Sequence, residues 1–274
     1  MRDILSYADN FKSWTAGMEY AARLAAQLDG RLTGVYVCPT AIGAVPAYDA
    51  PQLLSSVIEE IRELESLAHD AAPSFEQWAR ELGVRKAAWQ VAEGDVPSVL
   101  AHLGNWHDLL VLGRDASLPW GTPPLLGSIV LGCHLPCIVV PPGCTQPKFE
   151  TIVVAWNGSP EAIRAIHSAA PLLARAKRIV VLYGREREQF SEIGWNPEFN
   201  LARYFAREDI AFEHRGLEAG ADDAGIAILA AAASQGADLL VMGAYGRTRF
   251  SEWALGGATR HVLAEATLPV LMRH

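Results

Sequence analysis

The sequence lacks both a long apolar run and a run of basic residues. No apolar stretch approaches the ~20 residues that a membrane-spanning helix needs, and the N-terminal segment, interrupted by Asp3 and Asp9, has no signal-peptide core. The 23 Lys and Arg residues are outnumbered by 31 Asp and Glu residues, for a net charge of -8. This balance argues against a nucleic-acid-binding surface. We therefore expect a cytoplasmic protein that binds neither nucleic acid nor membranes.

Cysteine is also scarce, and the four cysteines do not form a complete metal site. Cys133, His134 and Cys137 are of the residue types that bind zinc. However, Cys137 lies in the apolar run LPCIVVPP, where a small buried thiol is common, and no second ligand pair is present. We expect the cysteines to be reduced and predict no metal site.

The most informative feature that is present is an internal repeat. DLLVLGR at 108–114 matches DLLVMGA at 238–244, and LPCIVVPP at 135–142 matches LPVLMRH at 268–274. The segment between the halves is rich in Pro and polar residues, as a domain boundary usually is. The repeat predicts two domains of ordinary size, at 1–143 and 150–274, joined by a linker at 144–149.

In each half, short apolar runs alternate with segments of helical periodicity. This alternation predicts βαβ units, and hence an α/β fold of two tandem open parallel-sheet domains with helices on both faces, similar to the Rossmann fold. The continuous apolar runs LLVLG and LLVMG suit strands that are buried on both sides. The N-terminal half is longer, and its extra residues near 40–80 predict one long helix or two.

Glycines cluster after the DLLV strand of the second half, in GAYGRTRFSEWALGGATRHVL at 243–263. Gly243 and Gly246 follow the strand, and Gly256 and Gly257 begin a predicted helix. Missing side chains let backbone N–H groups approach an anion, and a helix N-terminus attracts phosphate. The segment is neither a Walker A motif nor a dinucleotide fingerprint. From the spacing alone, a phosphate site and a tight turn with close packing are both open.

The spacing Gly243-x2-Gly246-x9-Gly256, together with IVVAWNGSPEAIRAI at 152–166, resembles the universal stress protein family in its tandem two-domain form. The resemblance covers essentially the whole chain. It implies an adenine nucleotide alpha hydrolase-like fold and a stress-response protein that binds ATP or a related adenine nucleotide, with or without Mg²⁺, in a regulatory or sensing role. The residues it implies for the nucleotide, mainly in the C-terminal domain, are Ala155, Trp156, Asn157, Met242, Gly243, Gly246, Arg247, Gly256, Gly257, Ala258 and Thr259.

Two positions of the second half depart from the family pattern. Asn157 stands where the family usually has Asp, so one acceptor oxygen replaces two. Gly257 stands where Ser or Thr is expected, which removes a hydroxyl but keeps the backbone N–H. Arg247 could compensate by pairing with phosphate oxygens, or it could be a solvated turn residue.

The first half keeps a second, weaker version of the site, with Asp9 after the first strand, Gly113 at the end of the DLLV strand, and Gly127 and Ser128 at the helix start. Ala116 replaces the second glycine, and inserted prolines remove backbone donors. We therefore expect this site to be degenerate.

The sequence contains no spacing of nucleophile and base that predicts a catalytic residue, and slow ATP hydrolysis stays open. The alternative function is a scaffold that binds no nucleotide. Such a scaffold would act through pairing of its two domains or through a homodimer, using the apolar final strands of each half.

Overall fold

The structure is a computed structural model, and it describes residues 1–40, 51–115, 121–184, 200–217, 223–244 and 257–274. Contacts divide the chain into two compact units. Unit 1 comprises Met1–Leu135 and Val140–Gln146, and unit 2 comprises Pro136–Val139 and Pro147–His274. The boundaries 1–143 and 150–274 stay a prediction.

The sheet of unit 1 is parallel, with strand order β3-β2-β1-β4. Its strands are β1 (Asp3–Ala8), β2 (Arg31–Cys38), β3 (Lys86–Glu93) and β4 (Leu109–Gly113). The described helices of this half are α1 (Ala16–Gln27), α2 (Pro51–Asp70), α3 (Ala72–Glu81), α4 (Val96–Gly104) and α5 (Pro123–Gly132). The extra length of the first half therefore includes two helices, α2 and α3.

The sheet of unit 2 has the order β5-β10-β9-β6-β7-β8, and all its pairs are parallel except β5 with β10. The strands are β5 (Cys137–Val140), β6 (Thr151–Trp156), β7 (Arg178–Tyr183), β8 (Glu213–Gly216), β9 (Leu239–Gly243) and β10 (Val270–Arg273). The described helices are α6 (Pro160–Leu173), α7 (Leu201–Arg207), α8 (Ala224–Ser234) and α9 (Gly257–Glu265).

The predicted α/β fold class is confirmed by this alternation of helices with a mostly parallel sheet. Leu109–Leu112 and Leu239–Met242 are buried along their whole length, as strands covered on both faces must be. The crossovers from β1 to β2 and from β3 to β4 run in opposite directions along the sheet. Because parallel crossovers are right-handed as a rule, these two connections place helices on both faces.

The Asp that begins each DLLV repeat fastens the start of a neighbouring strand. The Asp108 carboxylate accepts backbone N–H groups of Arg2 at 2.6 Å and Asp3 at 3.1 Å. In the second half, the Asp238 carboxylate accepts the N–H of Thr151 at 2.9 Å. The bond from Arg2 holds the pKa of Asp108 below its usual value. The repeated aspartates therefore have a structural role, each at the start of a strand of its own unit.

An aromatic cluster supports helix α3 on the sheet of unit 1. The rings of Trp14, Phe75 and Trp89 lie 5.1–5.3 Å apart, centroid to centroid. A Cβ on Gly34, in strand β2, would lie 2.7 Å from the Phe75 ring and 2.9 Å from Trp89. Gly34 is therefore the position at which these rings can approach the strand.

Candidate functional site

The structure places five of the sequence-predicted residues at one edge of unit 2. Strands β6 and β9 are parallel neighbours, with Ala155 opposite Met242. Trp156 ends β6 and Asn157 follows it at the same edge, and Gly243 ends β9. The other neighbour of β6 is β7, whose last residue Tyr183 pairs with Trp156. Ligands of open α/β sheets bind beyond the carboxyl ends of such strands.

The turn after β6 is held by its own side chains. Asn157 accepts the N–H of Ser159 through its Oδ1 at 3.1 Å, and Gly158 has a φ of 70°. Ser159 then caps helix α6, because its hydroxyl accepts the N–H of Ala162 at 3.2 Å. The one acceptor oxygen of Asn157 is thus engaged within the turn, and its amide NH₂ is the group it can offer to a ligand as a donor.

Gly243 is a glycine because helix α6 lies directly against the end of β9. A Cβ at this position would lie 2.5 Å from the Ala162 nitrogen and 2.7 Å from the Glu161 carbonyl carbon. Unit 1 has the same close approach with the roles exchanged, because a Cβ on Gly17 of helix α1 would lie 2.6 Å from the Gly113 Cα. Of the two interpretations left open by the sequence, close packing accounts for Gly243.

Gly257 differs from Gly243 in its surroundings and its exposure. It is the first residue of α9, no described residue comes within 4 Å of its Cβ position, and it is exposed. Neither a contact with the described residues nor a left-handed backbone requires a glycine there. The first N–H groups of α9 belong to Gly257, Ala258 and Thr259, and they lie at the positive end of the helix dipole. Thr259 is only 4% exposed, so its side chain belongs to the interior.

The charges around this edge of unit 2 are of both signs. Arg260 is exposed in the first turn of α9, and Arg273 ends β10. Sequence reasoning missed Glu161, which lies in the first turn of α6 with its side chain 15% exposed. Within the described residues, its buried Oε2 has no hydrogen-bond partner. The only available sequence signal was an acidic residue two positions after the N-cap Ser159.

The corresponding edge of unit 1 is acidic. Asp9 follows β1, and burial together with the nearby Asp115 carboxylate raises the pKa of Asp9. Beyond Gly113, Gly121 lies directly against Asp115, since a Cβ on Gly121 would overlap the backbone of Asp115. Phosphate would meet like charge at this position rather than a cradle of N–H groups.

The first half also differs from the prediction at its helix start. The sequence predicted that Gly127 and Ser128 begin the helix, which is wrong: α5 begins at Pro123, four residues earlier. Gly127 is buried inside the helix, and the Ser128 hydroxyl donates to the Leu125 carbonyl at 2.8 Å. The N-terminal residues of α5 are two prolines, which have no N–H to offer an anion.

Three predicted residues, Gly246, Arg247 and Gly256, lie outside the described residues. In the part of the chain that the structure describes, no group of three His, Cys, Asp or Glu side chains could hold a metal ion. No described helix combines the length and apolar character needed to cross a bilayer.

Comparison with known proteins identifies relatives of both the second half and the whole chain. Residues 148–274 match the family model described as the universal stress protein family. A universal stress protein of Synechocystis sp. is 25% identical over 299 aligned residues, which cover 99% of each chain. A solved universal stress protein from Archaeoglobus fulgidus matches with a TM-score of 0.69 at 17% identity, covering 99% of this chain and 96% of that one. A putative universal stress protein from Pseudomonas aeruginosa matches with a TM-score of 0.57 at 16% identity, covering 100% and 93%. The structural matches show the fold.

Proposed function

Because residues 148–274 of this chain belong to the universal stress protein family, we propose that the protein is a stress-response protein that binds ATP or a related adenine nucleotide in its C-terminal half. Its role is regulation or sensing, with slow hydrolysis at most.

The observation that carries the proposal is the open start of helix α9. Among the described residues, Gly257 has no packing partner at its Cβ position, and its backbone is not left-handed, so a glycine here leaves space rather than relieving strain. Backbone N–H groups at the start of a helix and the positive end of the helix dipole favour a phosphate there. Arg260 adds an exposed positive charge on the same turn. Residues Gly246, Arg247 and Gly256 complete the proposed phosphate segment.

The adenine and ribose belong, in this proposal, at the adjoining ends of β6 and β7. Ala155 and Met242 lie opposite each other, and Trp156 pairs with Tyr183 on its other side. The ring centroids of Tyr183 and His214 lie 4.1 Å apart, so His214 supports the Tyr183 ring from the next strand. Asn157 contributes hydrogen bonding through its amide, in place of the carboxylate found in the family.

The first half is proposed to bind no nucleotide. Its candidates Asp9 and Gly113 lie at an acidic edge, Gly127 and Ser128 lie inside helix α5, and the helix begins with two prolines. Each of these features removes something that a phosphate needs, either a donor or a favourable charge.

The test is isothermal titration of the purified protein with ATP, with mass spectrometry of the nucleotide released on denaturation. The variant is Gly257→Asp, whose side chain enters open space and whose charge is favourable at a helix N-terminus, so the fold is kept. The matched control, Ser128→Asp, adds the same charge at an exposed position of the first half. We expect Gly257→Asp to lose at least about tenfold in ATP affinity, since a like charge takes the place of the phosphate. The control keeps the wild-type affinity.

The alternative function, a scaffold without nucleotide, is favoured by one observation only. The apolar final strands pair with each other in antiparallel register, with Val139 opposite Val270. This pairing occupies the edge of β10 that a second copy would need. The other edge strand, β8, carries Glu213, His214 and Arg215, and charged residues discourage edge-to-edge association. An absence of nucleotide in both assays would favour the scaffold.

A further inference from the structure

We propose that Glu161 makes nucleotide binding in the C-terminal half depend on a divalent cation, with its carboxylate contacting Mg²⁺ that arrives with the phosphates. This inference rests on the proposed nucleotide function and specifies which ionic form of the nucleotide the site accepts.

The first observation is a buried carboxylate oxygen that lacks a partner. The Glu161 side chain is 15% exposed, and among the described residues its Oε2 is buried with no hydrogen bond. The other oxygen, Oε1, lies 3.9 Å from the Arg164 guanidinium, at the outer limit of an ion pair. Buried polar atoms are nearly always paired, and an unpaired one calls for a missing ion, water or ligand.

The second observation is where this carboxylate lies. The main chain and Cβ of Glu161 pack against Gly243, the last residue of β9 and the first glycine of the proposed phosphate segment. Glu161 is also in the first turn of α6, where the helix dipole favours the ionised form of a carboxylate. The side chain therefore brings a negative charge to the strand exit where phosphates are proposed to bind.

A carboxylate and a triphosphate at one strand exit repel each other unless a cation lies between them. Mg²⁺ is usually bound by one or two protein carboxylates together with substrate phosphates and water. Glu161 fits that role because it is a single hard oxygen donor with an unsatisfied lone pair. The described residues at this edge do not form a metal site by themselves, so the phosphates supply the other ligands.

The experiment compares ATP affinity with Mg²⁺ and with EDTA, by isothermal titration, in wild type and Glu161→Gln. The control is Glu19→Gln, at the first turn of the corresponding helix α1, where Glu19 already pairs with Arg23 at 2.7 Å. We expect wild type and the control to lose about tenfold or more in affinity when Mg²⁺ is removed, the effect of one uncompensated charge at short range. Glu161→Gln should bind ATP with nearly equal affinity in the two conditions, mainly because its affinity in EDTA rises.

Glutamine has the shape of glutamate, and thermal unfolding of each variant checks that the fold is kept. Glu161→Asp provides a second variant, which keeps the charge and should retain Mg²⁺ dependence. Equal Mg²⁺ dependence in wild type and Glu161→Gln would overturn the inference, and so would a wild type that binds ATP equally well in EDTA. In both cases the nucleotide function would stand. If wild type binds no ATP in either condition, the proposed function fails and the inference fails with it.

Discussion

The contrast between Gly243 and Gly113 gives a quantitative test of how each half packs its first helix against the end of its DLLV strand. In unit 2, an alanine at position 243 would bring its Cβ to 2.5 Å from the nitrogen of Ala162 and 2.7 Å from the carbonyl carbon of Glu161. Both are backbone atoms, which cannot rotate away. In unit 1, an alanine at position 113 would place its Cβ 3.5 Å from the Gly17 Cα, an ordinary contact.

Overpacking of a tight site costs about 1–3 kcal/mol, and we expect Gly243→Ala to lie near 2–3 kcal/mol because α6 must move as a whole. For a chain of this size, that corresponds to a fall of roughly 5–10 °C in the melting temperature of the affected transition. Gly113→Ala should change stability by less than about 0.5 kcal/mol. Differential scanning calorimetry of both variants measures the difference. Equal melting temperatures for the two variants would refute the packing explanation of Gly243.

Three further predictions concern single side chains. Gly257→Ser should raise ATP affinity by about two- to tenfold, the worth of one hydrogen bond, and titration with ATP measures it. Asp108→Ala should destabilise the protein by about 1 kcal/mol at pH 7 through the loss of two backbone hydrogen bonds. Because the folded-state pKa of Asp108 is lowered, its contribution is present above the unfolded value of 3.8 and disappears as pH falls through the folded value. Urea titrations of wild type and variant should therefore converge in acid. Asp9→Asn should stabilise the protein at neutral pH, since burial and Asp115 raise the pKa of Asp9 and make its ionised form costly in the folded state. That gain should vanish below the unfolded pKa of 3.8, and melting curves recorded at pH 7 and below that value measure it. A gain of equal size at both pH values would contradict the explanation.

The fold was predictable because a strand that is buried on both faces gives a continuous apolar run, and this run occurs once in each half of the repeat. LLVLG and LLVMG became β4 and β9, and the exit of β9 was placed correctly from sequence. The reason for Gly243 could not be predicted, since it depends on how closely α6 approaches, which is a tertiary contact. The start of α5 was misplaced because the family spacing pointed to Gly127, whereas the local proline signal at Pro123 set the helix start.

Glu161 was missed for a related reason. An acidic residue in the first turn of a helix is a common dipole effect, and nothing in the sequence indicates that one of its oxygens is buried without a partner among the described residues. The exact division into two units could not be predicted from the repeat either. Pro136–Val139 belong with the second unit, although the repeat assigns them to the first half, and an antiparallel pairing of strands distant in sequence leaves no local trace.

The central claim is that adenine nucleotide binds at the start of α9 and nowhere equivalent in the first half. The most direct measurement is the amide spectrum of protein labelled with ¹⁵N at glycine only, recorded with and without ATP and Mg²⁺. The account predicts a large shift of the Gly257 resonance, with Gly127 and Gly132 unchanged, each resonance being assigned by its alanine variant. A shift of Gly127 without one at Gly257, or no shift of either at saturating ATP, would contradict it.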